Sequence, residues 1–101
     1  ALRTRARQVG VVGNREYNPG WHTAIDLHNL LTISEAITLA AIERKESRGG
    51  HFRDDYPDKD KTYGAFNIVL KRGTSGEMVM ERRPQAALPA ELQAIIEEQA
   101  K

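Results

Sequence analysis

Cysteine is missing from all 101 residues. That excludes disulfides, thiolate zinc sites, cysteine-ligated clusters and cysteine nucleophiles, and it suits a reducing compartment. Net charge is almost missing as well: 15 Lys and Arg against 14 Asp and Glu leave +1. Such a chain has no global field to steer it toward nucleic acid. Uninterrupted apolar runs fall short of the roughly 18 residues of a spanning helix, and the Arg-rich start lacks the apolar core of a signal peptide, so direct membrane insertion is not expected. Internal repeats and low-complexity segments are absent too. The length suits a single domain with one modest core. The chain opens at Ala1 with RTRAR already at helix-like polarity, which is expected of a piece of a longer polypeptide.

What is present reads as mostly helix. ALRTRARQ, residues 1–8, resembles the tail of a helix that Gly10 and Gly13 end. In YNPGWH, Asn18 is a suitable N-cap and Pro19 a suitable first helical residue, because its missing N–H costs nothing there. From there to about Lys45, apolar residues recur at three- and four-residue spacings, predicting one long central helix that packs on more than one side. Ser47, Arg48, Gly49 and Gly50 are expected to end it, with glycine as C-cap and Arg44, Lys45 and Arg48 at its negative end. FNIVLK, the turn GTSGE and MVMER predict a β-hairpin over 66–82. Pro89 opens a short amphipathic helix with Leu92, Ile95 and Ile96 on one face. The expected fold is mainly α and helical-bundle-like, with residues 1–61 forming the helical part and charged loop, and 62–101 the hairpin and terminal helix. Trp21, Ile25, Leu31, Ile37 and Ile42 are expected to stay in part exposed or to be covered by a second copy, a homodimer of the fragment.

The charge is concentrated in ERKESRGGHFRDDYPDKDK, residues 43–61. His51 with Asp54, Asp55, Asp58 and Asp60 supplies adequate metal-ligand types, but Pro57 and Lys59 stand where an EF-hand needs ligands and a glycine, and no metal site is assigned. His22 and His28 are six positions apart and do not share a helix face. No nucleophile elbow or phosphate loop is present, so no catalytic or cofactor-binding residue is assigned. Arg48 and Arg53 flank the GGH segment, where a carboxylate or anion could be gripped. A solvated, self-neutralising loop and a docking loop are both compatible with this composition.

The order of residues is more specific than their types. ERKESRGGHFRDDYPDKD closely resembles the ERxESRGAHxRxDYPxRD segment in the C-terminal part of succinate dehydrogenase and fumarate reductase flavoprotein subunits. Arg44, Glu46, Ser47, Arg48, Gly49, His51, Arg53, Asp55, Tyr56, Pro57 and Asp60 fall in register. The preceding NPGWHTAIDLHNLLTISEAITLAAIERK is similar to the family's long helix, which often reads NPGWHxALDLxNML. The strong resemblance covers about residues 15–60. Gly50 departs from the commoner alanine, and Tyr63 and Phe66 stand where many relatives have tryptophan and a histidine–threonine pair. L-Aspartate oxidases are a weaker match, because the residues after their ESRG-type segment usually differ from HFRDDYP.

The resemblance implies a C-terminal domain of an FAD-dependent oxidoreductase interconverting succinate and fumarate. FAD and the catalytic groups would belong to the parent protein upstream, and the fragment itself would be inactive. Implied partners are the flavin-binding domain of the same chain and an iron–sulfur subunit. The implied setting is cytoplasmic, at the inner face of a membrane, in electron transport and the tricarboxylic acid cycle. Glu46, Arg48, His51, Arg53 and Asp55 are the expected docking residues, and 49–61 is expected to be poorly ordered without its partners. An independent interaction module is the alternative of a different class.

Overall fold

The computed structural model describes residues 1–101. Its elements are α1 (Leu2–Ala6), α2 (Pro19–Glu43), a 3-10 turn (Tyr63–Ala65), strands β1 (Phe66–Arg72) and β2 (Met78–Pro84), and α3 (Ala90–Gln99). The chain divides into two units. The first holds Ala1–Lys45 with the hairpin tip, Leu70–Met80; the second holds Glu46–Val69 and Glu81–Lys101.

In the first unit α2 starts where expected. Asn18 is extended, and its Oδ1 accepts the Trp21 N–H at 3.3 Å, with Pro19 at the first helical position. The Asn18 Nδ2 also donates to the carbonyls of Val12 and Asn14, at 3.0 and 2.8 Å, so one amide side chain both caps the helix and closes the loop before it. That loop holds Tyr17 at φ 52, a left-handed conformation unusual for a residue with a Cβ. The hydroxyls of Thr23, Thr32, Ser34 and Thr38 each donate back to the carbonyl four residues earlier, which satisfies them within the helix. α1 packs on α2, and Arg3 bridges to Glu35 at 2.6 Å. At the hairpin tip, the Gly73 N–H donates to the Glu77 carbonyl at 2.7 Å, and Gly76 takes the left-handed φ of 81 that the reversal requires.

The second unit is organised around aromatic rings. The Arg82 guanidinium lies over Phe66 and Tyr63, 4.8 and 5.3 Å from the ring centroids, and the rings are 5.4 Å apart. Phe66 is buried. Beyond it, every residue of α3 is exposed.

The expected helical bundle is not what forms. The chain is 43% helical and 16% strand, with three helices and a two-stranded antiparallel sheet. A bundle needs apolar faces buried against each other. Here α2 buries none of its residues, and Ala6 and Phe66 are the only buried apolar side chains. Apolar periodicity gave the helix correctly but not what would cover it. Ile25, Ile37 and Ile42 are exposed, and Trp21 and Leu31 are half-buried. An 18-residue window of α2 also reaches a mean hydropathy of 1.3, which by length and composition alone suffices for a membrane span although no uninterrupted run does. The helix ends on extended Arg44 rather than on a glycine cap.

Replacing Asn18 with alanine should cost about 1–2 kcal/mol in denaturant unfolding, at the upper end of the usual capping range, because the same side chain also holds the preceding loop.

Candidate functional site

The charged segment folds back on itself because of a carboxylate at its start. Glu46 is fully buried, at 0% exposure. An ionised carboxylate in that position must be hydrogen-bonded at both oxygens, and it is. Arg48 Nε donates to Oε1 at 2.8 Å and Nη2 to Oε2 at 3.1 Å, while the Asp60 N–H donates to Oε2 at 2.8 Å. Arg48 Nη2 also donates to the Asp60 carbonyl at 3.0 Å. One carboxylate and one guanidinium therefore tie residues 46 and 48 to residue 60. This hydrogen bonding raises the Arg48 pKa above its ordinary value, with burial opposing it. Gly64 sits against the same guanidinium: a Cβ there would lie 3.0 Å from Nη2.

Ser47 closes a second ring. Its N–H donates to the Asp58 carbonyl at 3.0 Å; its hydroxyl accepts the Arg53 N–H at 2.9 Å and donates to the Tyr56 carbonyl at 2.7 Å. Between these anchors, Arg48 and His51 exchange both backbone hydrogen bonds, at 2.8 and 3.0 Å, around a turn in which Gly49 has φ 59. The glycines thus make a tight turn in the loop rather than a helix cap. Arg53 then grips Asp55 with two hydrogen bonds, 2.9 and 2.6 Å, and stacks over the Tyr56 ring at 4.9 Å. The pair lowers the Asp55 pKa and raises that of Arg53, in both cases chiefly through their shared hydrogen bonds.

The charged loop has two features that its composition did not announce. The segment 49–61 is not held only by absent partners; it is closed by its own hydrogen bonds. Glu46, expected to dock a partner, faces inward and has no surface to offer. Arg48 is committed to holding it. His51, Arg53 and Asp55 remain on the outside or half-buried, together with Phe52, 69% exposed, and Tyr56. Phe52 and Ser47 were not among the expected functional residues; a lone aromatic inside a run of charges was the available signal for Phe52. No three of the histidines and acids converge as a metal site.

A dinucleotide cradle needs a strand, a tight glycine turn and a helix start, whereas here β1 turns directly into β2, and a Cβ at Gly10, Gly49 or Gly50 would meet nothing within 4 Å. A cleft of about 780 Å³ is lined by α1, α2 and hairpin-tip residues including Arg3, Glu35, Lys71 and Glu77, with Arg3 and Glu35 already paired.

A family model described as the fumarate reductase flavoprotein C-terminal region matches residues 1–96. The chain belongs to that family. It is similar to the 8-methylmenaquinol:fumarate reductase flavoprotein subunit of Wolinella succinogenes, 45% identical over 65 residues, covering 60% of this chain and 11% of that one. It is also similar to the succinate dehydrogenase flavoprotein subunit of Rickettsia conorii, 34% identical over 61 residues, 60% of this chain and 10% of that one. An L-aspartate oxidase of Synechocystis is 41% identical over 44 residues, 44% of this chain and 8% of that one. The chain thus matches about a tenth of the length of these relatives. No solved structure matches it.

Glu46→Ala should destabilise the chain by about 1–3 kcal/mol in thermal or denaturant unfolding, since it leaves the Asp60 N–H without an acceptor in a buried site. Arg48→Glu, which would face Glu46 with a second carboxylate, should lower the melting temperature as well, whereas Asp54→Asn should leave it nearly unchanged. The Asp55 contribution depends on pH. Its folded pKa lies below the unfolded one, so the stabilisation is complete above the ordinary aspartate range and is lost as pH falls through the lowered folded value. Asp55→Asn should remove that part of the acid limb in a stability-versus-pH series.

Proposed function

We propose that this chain is the C-terminal structural and partner-docking domain of an FAD-dependent oxidoreductase that interconverts succinate and fumarate. Family membership and relatives named as flavoprotein subunits of succinate dehydrogenase and fumarate reductase support the enzyme class. FAD and the reacting groups belong to the flavin-binding part of the parent, and the 101-residue piece carries no turnover of its own. The parent works with an iron–sulfur subunit in electron transport and the tricarboxylic acid cycle, in the cytoplasm at the inner face of the membrane.

The observation that carries the docking role is α2. A helix of 25 residues without one buried side chain leaves Ile25, Leu30, Ile33 and Ile37 as an apolar ridge. Ridges of this size are covered in functioning proteins. Self-satisfied hydroxyls along the helix lower the cost of removing it from water. The flavin-binding domain of the same chain is its partner. The clasped loop, with Phe52, Arg53, Asp55 and His51 at its surface, faces the iron–sulfur subunit. Aromatic and arginine side chains held rigid are efficient at such contacts, because little entropy is lost when they are buried.

L-Aspartate oxidase is the second reading, favoured by a relative of that name. The parent protein, assayed with succinate, fumarate and L-aspartate, separates the two: turnover of the dicarboxylate pair supports the first, and oxidation of L-aspartate alone overturns it. In the same parent, Ile33→Glu with Ile37→Glu should place unpaired charges on the covered ridge. Flavin retention and co-purification of the iron–sulfur subunit are expected to drop, while the isolated chain keeps its melting temperature. Unchanged assembly would remove α2 as the docking face.

A further inference from the structure

The stretch GVVGNREY, residues 10–17, joins the last turn of α1 to the cap of α2 and takes no part in the docking described above. Each of its residues is exposed, with Val12 at 96% and Tyr17 at 100%. None of its N–H groups donates to another backbone group. What holds it is one side chain at its end: Asn18 Nδ2 donates to the carbonyls of Val12 and Asn14. Gly13 at φ 99 and Tyr17 at φ 52 are both left-handed, which costs the glycine little and strains the tyrosine. Between them Arg15 is exposed and makes no ion pair. Every other arginine lies in a helix or at its end, in a strand, or in the closed loop of residues 46–60.

The structure assigns residues 10–17 as a cleavage site for a serine endoprotease of arginine specificity, with Arg15–Glu16 as the scissile bond and the Asn18 side chain as the latch that limits it. Exposed loops with few backbone hydrogen bonds are where such enzymes cut, because the segment can be drawn out into the protease at small cost. Here drawing it out requires only that the Val12 and Asn14 carbonyls leave Asn18 Nδ2. The left-handed Tyr17 is released at the same time, which offsets part of that cost. In the reaction the serine of the protease attacks the Arg15 carbonyl, the C–N bond to Glu16 breaks with a proton passing to the Glu16 nitrogen, and water frees the acyl group as the Arg15 carboxylate. α1 then stays on α2 only through non-covalent contacts such as the Arg3–Glu35 pair. All of these residues belong to the first unit, so the assignment is independent of the succinate and fumarate reading.

The full chain, treated with a small amount of an arginine-specific serine endoprotease and followed by mass spectrometry, should give residues 1–15 and 16–101 before any other fragment. Arg15→Gln should abolish that pair of products. Asn18→Asp retains an oxygen to cap the Trp21 N–H but has no N–H for the carbonyls of Val12 and Asn14. It should speed the first cut about fivefold or more at unchanged circular dichroism, since cleavage of a rapidly opening loop follows the population of its open form. A first cut at any other arginine overturns the assignment. So does breakdown of the intact chain into many fragments at once, which would mean that cutting waits for global unfolding. An Asn18→Asp chain cut no faster than the unaltered one overturns the latch.

Discussion

A buried carboxylate is tolerable in a protein only when donors in reach hydrogen-bond both of its oxygens, and in this chain the Glu46 carboxylate is the group around which the region after α2 is arranged. Arg48 and the Asp60 N–H supply what it needs at 2.8–3.1 Å. Because these donors lie two and fourteen residues further on, satisfying Glu46 forces the chain into a closed loop. Ser47, its buried neighbour, ties the interior of that loop to residues 53, 56 and 58 in the same way. Residues 49–57 are left to be displayed rather than folded inward. The display is firm because removing either anchor leaves a buried polar group unpaired.

The same logic accounts for the high local charge. Of the charged side chains in residues 43–61, Glu46 with Arg48 and Arg53 with Asp55 neutralise each other within the loop. Beside the exposed Asp54, Asp58, Lys59 and Lys61, the loop offers outward an exposed phenylalanine, a tyrosine under a guanidinium already paired, and a histidine at a turn.

Much of this was readable from residue order. Asn18 and Pro19 mark the start of α2 because only a few residue types suit a helix start; GTSGE marks the hairpin turn because a reversal needs glycine; the ESRGGHFRDDYP register placed the chain in its family. That no bundle forms was not readable. Periodicity shows that α2 has apolar faces, but it contains no term for what covers them, and in this chain nothing buries them. The inward turn of Glu46 was missed for a different reason: charge runs usually face water. Yet a signal existed. Glu46 with Arg48, Arg53 with Asp55 and Glu81 with Arg83 are all opposite charges two apart, the spacing that puts side chains on one side of an extended backbone rather than of a helix. Reading the segment as extended would have paired the charges within the loop.

Amide hydrogen exchange of the chain tests the central claim directly. If Glu46 and Ser47 hold the loop closed, the amides of Asp60, Arg53, His51 and Ser47 should exchange slowly and together, and Glu46→Ala should release all four while leaving the middle of α2 protected. If those amides exchange in the intact chain as fast as those of an open loop, or if Glu46→Ala leaves them slow, the carboxylate does not organise this region.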